Sequence, residues 1–175
     1  MSPNSMAEPI KPSWPSSSRP NTPVKVSGLL DAACIKRFDA AQGKDEILKS
    51  LVSLLCDREH LASVPEVLSK VLDRERGIST TLDSGLSLPH ARLRALSKIS
   101  LALAVFSHPI EDSKTPGVPV KAMLLVLVPE NAESAAAYLK LLRSIANLFQ
   151  GALLEEIGRA AGSEEVLEQI RRAER

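Results

Sequence analysis

A chain of 175 residues that is 44% hydrophobic and 25% charged can bury one ordinary core, with some length to spare. Its net charge of +1 arises from interspersed Lys/Arg and Asp/Glu, which argues against the basic stripe that a nucleic-acid binder lays along phosphates. No run of about 18 apolar residues is present to span a bilayer, and no basic-then-apolar start marks a secretory signal. Cys34 and Cys56 have no metal-ligand spacing with each other or with His60, His90 and His108, and each sits in an apolar segment where a buried thiol is expected. The expected setting is a reducing cytoplasm, with no membrane insertion and no nucleic acid partner.

Residues 1–26 carry six of the twelve prolines, Pro3, Pro9, Pro12, Pro15, Pro20 and Pro23, among Ser and Asn. Such a composition favours neither a helix nor a sheet ladder, so a disordered leader is expected, followed by one domain over 27–175. Trp14, the only tryptophan, serves there either as a docking handle or as a contact onto the domain. A short strand is expected around Cys34 to Phe38. An amphipathic helix follows from Lys44 to Arg58, with Ile47, Leu51, Leu54 and Leu55 inward. A second helix opens at Ser63, which has capping-box spacing to Glu66 and Pro65 in the first turn, and it ends at Arg74.

Gly77 to Gly85 reads as loop. Leu86 to Leu88 reads as a brief strand that stops at Pro89, which leaves His90 at a strand end. Lys98 to His108 and Val120 to Val128 are β-rich apolar runs on either side of a Pro/Gly/Asp loop, and they are expected as central strands. The last third is helical. Ser134 to Phe149 carries a stripe of Tyr138, Leu141, Leu142, Ile145 and Leu148, and shorter helices span Ala152 to Ala160 and Ser163 to Arg172, the last with Ser163 as N-cap. The expected fold is α/β, a mixed, partly antiparallel sheet of four or five strands sandwiched by helices.

The chemistry concentrates between Arg74 and His90. A histidine fixed directly after proline, beyond a Ser/Thr/Gly loop and downstream of an arginine at a helix end, has the parts of a phosphoryl acceptor. A neutral imidazole offers a lone pair to phosphorus, and a guanidinium can stabilise the transferring oxygens. From position alone, a Pro-His at a strand end is more often a solvated turn, complementing the helix dipole is the better reading of Arg74, and Ser79 and Thr80 read equally as ordinary turn formers. No Walker loop, nucleophile elbow or paired-histidine metal motif points to other catalysis.

In order and spacing these segments resemble the type-2 enzyme IIA domains of the bacterial phosphoenolpyruvate-dependent phosphotransferase system, the fructose, mannitol and nitrogen-regulatory group. The resemblance covers Gly28 to Ala173. It rests on Gly43-Lys44-Asp45-Glu46-Ile47 at a helix start, Arg74-Glu75, Ser79-Thr80, the run Gly85-Leu86-Ser87-Leu88-Pro89-His90, and Ser163-Glu164-Glu165-Val166-Leu167 near the end. It implies that His90 takes a phosphoryl group from the histidine phosphocarrier protein and hands it to a IIB protein or to a regulated target, without metal or cofactor. It also implies that Arg74 stabilises the phosphoryl group, with Ser79 and Thr80 holding the loop or donating to its oxygens. Many members have a second histidine near the start of the long helix, where Tyr138 stands here; a tyrosine donates a hydrogen bond but carries no positive charge. The absence of an attached IIB or membrane segment favours the nitrogen-regulatory branch. A regulatory binding protein on the same fold, docking its target around His90, is the alternative.

Overall fold

The computed structural model describes residues 23–175. The first 22 residues of the expected leader, Trp14 included, lie outside the described residues. At the leader's end Val26 is fully buried, in a 3-10 turn (Val26–Gly28) whose backbone N–H groups are accepted by the carboxylate of Glu174.

Five strands form one mixed sheet. The two long apolar runs are β4 (Ser100–Ile110) and β5 (Val120–Pro129), paired antiparallel with Leu101 opposite Val126 and Leu103 opposite Leu124. Consecutive residues from Ala122 to Pro129 are buried, and because side chains alternate across a strand, both faces of the sheet must be covered. β1 (Ile35–Phe38) lies parallel to β4 on one side. On the other side β2 (Leu86–Ser87) and β3 (His90–Leu93) both run parallel to β5. Helices supply the cover: α1 (Lys44–Glu59), α2 (Val64–Glu75), α3 (Ala132–Leu148), α4 (Gly151–Arg159) and α5 (Ser163–Ala173). The expected partly antiparallel α/β sandwich is the observed fold, with five strands.

Two local expectations change. The strand beginning at Leu86 does not end at Pro89. Leu86 faces Ala122, Ser87 faces Met123 and His90 faces Val126, a constant offset that makes β2 and β3 one strand with a two-residue interruption. Proline lacks only the donor, which an edge strand tolerates, and the Pro89 carbonyl still accepts from the Val126 amide at 2.9 Å. His90 therefore opens the strand's second segment, β3. Ser163 is the first residue of α5, not its cap: Gly162 takes the cap position, while the Ser163 hydroxyl donates to the Ile35 carbonyl at 2.9 Å and ties α5 to β1.

The two helices that lead to His90 follow from simple sequence signals. On α2 the Ser63 hydroxyl accepts from the Glu66 amide at 3.3 Å, and Pro65 occupies the first turn. Its buried stripe is Val67, Val71 and Glu75, at successive i+4 spacing. The carboxylate thus continues an apolar stripe into the interior and leaves the adjacent Arg74 exposed. Gly85, at φ 96°, turns the loop into β2. A Cβ there would sit 2.6 Å from the Pro119 carbonyl, so only glycine fits.

Candidate phosphoryl-transfer site

Three elements converge on the His90 ring. It is half-buried at the start of β3. From the end of α2 the Arg74 Nε–H donates to His90 Nε2 at 3.2 Å. His90 Nδ1 lies 3.3 Å from the Leu88 carbonyl oxygen, two residues back in the chain. An arginine only donates and a carbonyl only accepts, so these two contacts together define one tautomer. Nδ1 carries the proton and donates it to Leu88, and Nε2 presents its lone pair on the side facing the guanidinium.

Tyr138 of α3 is the third contributor, its ring centroid 5.5 Å from that of His90 and tilted by 40°. Tyr138 is buried, and that burial pushes its hydroxyl above the ordinary phenol value against the opposing charges of Arg74 and Arg92. It remains an O–H at neutral pH. Burial likewise lowers His90 below the ordinary imidazole value; the charges of Arg74 and Arg92 add to this, while the Leu88 carbonyl and Glu75 oppose it. The ring is therefore neutral at physiological pH, the form in which nitrogen is nucleophilic.

Arg92 is a site residue that motif reading passed over. On β3 the burial alternates, with Ala91 and Leu93 inward and His90 and Arg92 outward. The i, i+2 relation places Arg92 on the same side of the strand as His90. The available signal was the strand itself: once His90 opens a strand, the residue two further on must share its side. Arg92 forms no salt bridge among the described residues, and neither does Arg74, so two cations without ion-pair partners attend the ring.

Ser79 and Thr80 are drawn near the site by their loop, but their hydroxyls have partners in the protein. Thr80 Oγ1 donates to Glu75 Oε1 at 2.8 Å, and the Ser79 and Thr115 hydroxyls share a hydrogen bond of 2.6 Å. Beneath them lies a charged cluster that the sequence did not single out. Lys44 Nζ lies 2.9 Å from Glu75 Oε2 and 2.9 Å from Asp112 Oδ2, and Thr81 Oγ1 also donates to Asp112, at 3.1 Å. Burial works against the charge on Lys44, but the hydrogen bonds and charges of Glu75 and Asp112 outweigh it and raise its pKa. Asp112 is lowered despite its burial by Lys44, the Lys114 amide and Thr81.

The family described as "Phosphoenolpyruvate-dependent sugar phosphotransferase system, EIIA 2" matches residues 28–173 of this chain. The chain belongs to this family. It is similar to a nitrogen regulatory protein of Pseudomonas aeruginosa, 28% identical over 127 residues, which are 73% of this chain and 81% of that protein. Among solved structures it is similar to nitrogen regulatory protein IIA-Ntr of Neisseria meningitidis, with a TM-score of 0.72 and 25% identity over 83% of this chain and 98% of that one. Its fold is also that of the mannitol enzyme IIA from Escherichia coli solved in complex with phosphorylated enzyme IIB, with a TM-score of 0.66 and 18% identity over 82% of this chain and 97% of that one. This EIIA 2 chain is thus a phosphotransferase-system domain with relatives named for nitrogen regulation. No helix among its described residues is long and apolar enough to cross a membrane.

Proposed function

We propose that this EIIA 2 domain is a phosphoryl carrier of the nitrogen-regulatory type. His90 Nε2 accepts a phosphoryl group from the histidine phosphocarrier protein and passes it to a partner, a IIB protein or a regulated target, in a bacterial cytoplasm. The observation that carries this reading is the pair of contacts on the ring: Nδ1 committed to the Leu88 carbonyl, and Nε2 unprotonated beside a guanidinium.

In the accepting step the Nε2 lone pair attacks phosphorus, the new N–P bond forms as the donor's N–P bond breaks, and the bonding pair leaves with the donor imidazole. Charge in such a transfer resides on the equatorial oxygens. Arg74 shifts its N–H groups from Nε2 to those oxygens, Arg92 adds a second cation, and the Tyr138 hydroxyl is a neutral donor at the ring's flank. Ser79 and Thr80 hold the loop in this reading, since their hydroxyls are engaged by Thr115 and Glu75. Transfer onward is the same displacement, with the partner's nucleophile attacking.

Docking of a partner has a surface to use. Ile78, in the loop after Arg74, is 83% exposed and Leu139, next to Tyr138, is 67% exposed, and in this reading both are offered to the partner. The same surface would serve a purely regulatory binding role, so the deciding test is chemical. Incubated with phosphoenolpyruvate, enzyme I and phosphocarrier protein, the full chain should gain the mass of one phosphoryl group, labile in acid, and His90→Ala should not. A gain that persists in His90→Ala would move the acceptor elsewhere, and no gain in the native chain would leave the binding role alone.

A further inference from the structure

Hydrogen bonds, joined through the covalent frames of Thr80 and Leu88, connect the buried charged cluster to the imidazole. Lys44 holds Glu75 Oε2, and Glu75 Oε1 accepts from the Thr80 hydroxyl at 2.8 Å. The Thr80 backbone carbonyl accepts from the Leu88 amide at 3.1 Å. The Leu88 carbonyl then receives His90 Nδ1–H. Glu75 is also the covalent neighbour of Arg74 at the last turn of α2, where its burial fixes which way Arg74 projects. One carboxylate thus stands behind both contacts on the ring, the Nδ1 side through Thr80 and Leu88 and the Nε2 side through Arg74.

We propose that Glu75, held by Lys44 and holding Thr80, is a positioning residue that selects the Nδ1–H tautomer of His90 and so keeps Nε2 free for phosphorus. This rests on His90 being the phosphoryl acceptor. The assignment gives Thr80 a role different from phosphate binding: its single hydroxyl proton is spent on Glu75, and it acts through its backbone on Leu88. The cluster has a second tie to the same loop, since Lys44 also holds Asp112, which accepts from Thr81. Together they clamp residues 80 and 81 between α1, α2 and the connection from β4 to β5. An imidazole whose Nδ1 partner drifts would populate both neutral tautomers, and the fraction protonated on Nε2 has no lone pair to offer there. Small displacements of an attacking atom are amplified in rate, by up to roughly a hundredfold for about 1 Å.

The test uses the 15N-labelled full chain without phosphoryl donor, at about two pH units above the ordinary imidazole value so that the rings are neutral. The His90 nitrogen shifts then report the tautomer. The native protein is expected in the Nδ1–H form. Thr80→Val should give a mixture of tautomers and slow phosphoryl uptake roughly tenfold, and Thr80→Ser, which keeps the hydroxyl, should restore both. Glu75→Gln, which keeps the shape but gives up the ion pair with Lys44, should shift the tautomer in the same direction and carries the test should Thr80→Val fail to fold. A native-like tautomer in both folded Thr80→Val and Glu75→Gln overturns the inference, whatever happens to the rate. A direct phosphate-binding role for Thr80 would slow uptake and leave the resting tautomer alone. Because the tautomer is read before any transfer, failure here is distinct from failure of the carrier reading, which a missing phosphoryl mass gain would show.

Discussion

Two charged regions lie a few residues apart and are built on opposite terms. Around His90 the structure gathers cations, Arg74 and Arg92, with no carboxylate among the described residues paired to either, and leaves the ring half-open. Around Lys44 it gathers two carboxylates on one ammonium, with side-chain exposures of only 7% for Glu75 and 4% for Asp112, and satisfies them with Thr80 and Thr81. The first arrangement is electrostatically incomplete and would be completed by an anion arriving at Nε2. The second is closed and serves to hold its surroundings still. On the carrier reading proposed above, the site needs both: room at the His90 nitrogen and rigidity behind it.

The closed cluster depends most on Lys44. Lys44→Met leaves two buried carboxylates facing each other without a cation, and loss of one member of a buried pair costs about 3–5 kcal/mol. Urea unfolding of the variant should show a midpoint reduced accordingly. The deficit should shrink as pH falls, because Asp112, whose carboxyl is held low by Lys44 in the native protein, takes up a proton more readily without it and relieves the repulsion. A deficit under about 1 kcal/mol, or one independent of pH, would mean that the cluster is well enough hydrated to act as a surface pair.

Arg74→Met addresses the other side. Arg74 is exposed, and surface changes of this kind move stability by about 0.5 kcal/mol or less. Removing a donor aimed at developing charge costs about a hundred- to a thousandfold in rate. Phosphoryl uptake by His90 should therefore fall by that factor while the unfolding midpoint holds. Equal losses in both measurements would place Arg74 with the structural cluster and erase the distinction.

How much of this was legible in the sequence depended on whether a residue's role was local. The strand pair from Ser100 to Pro129 and the helices flanking it follow from period and punctuation, since burial on one or both faces imposes a 3.6 or continuous pattern. Arg74 and His90 were visible because a helix end, a loop and a Pro-His dipeptide put them in register within 17 residues. Their 3.2 Å contact is the structural counterpart of that spacing. The Lys44–Glu75–Asp112 cluster was not legible, because its members come from three separated segments, and at each one a charged residue beside a helix end or a loop reads as solvated. Thr80 and Ser79 were singled out by position, yet which atom a hydroxyl donates to is a tertiary fact. Arg92 was hidden by the expectation that Pro89 ends the strand. A missing N–H interrupts an edge ladder for two residues without stopping it, and the alternation that exposes Arg92 resumes immediately.

The smallest expected effect is in pH dependence, and it tests whether the His90 environment favours the neutral ring. Its pKa is lowered in the folded protein, by burial first and by Arg74 and Arg92 next. In the range below the ordinary value of 6.5 the unfolded chain binds a proton at this position that the folded chain resists. The sign follows from linkage: stability rises with pH wherever the unfolded state holds more protons. The contribution is complete above the unfolded value and is lost as pH falls from there through the folded value. Comparing the native chain with His90→Gln isolates the contribution of this ring. The native protein should lose stability faster than the variant on acidification below about 6.5, and the two should run parallel above it. A native curve that instead gains on the variant as pH falls would mean that the ring prefers its protonated form, which would require a carboxylate to outweigh Arg74 and Arg92 and would remove the lone pair from Nε2 at the pH where transfer has to occur.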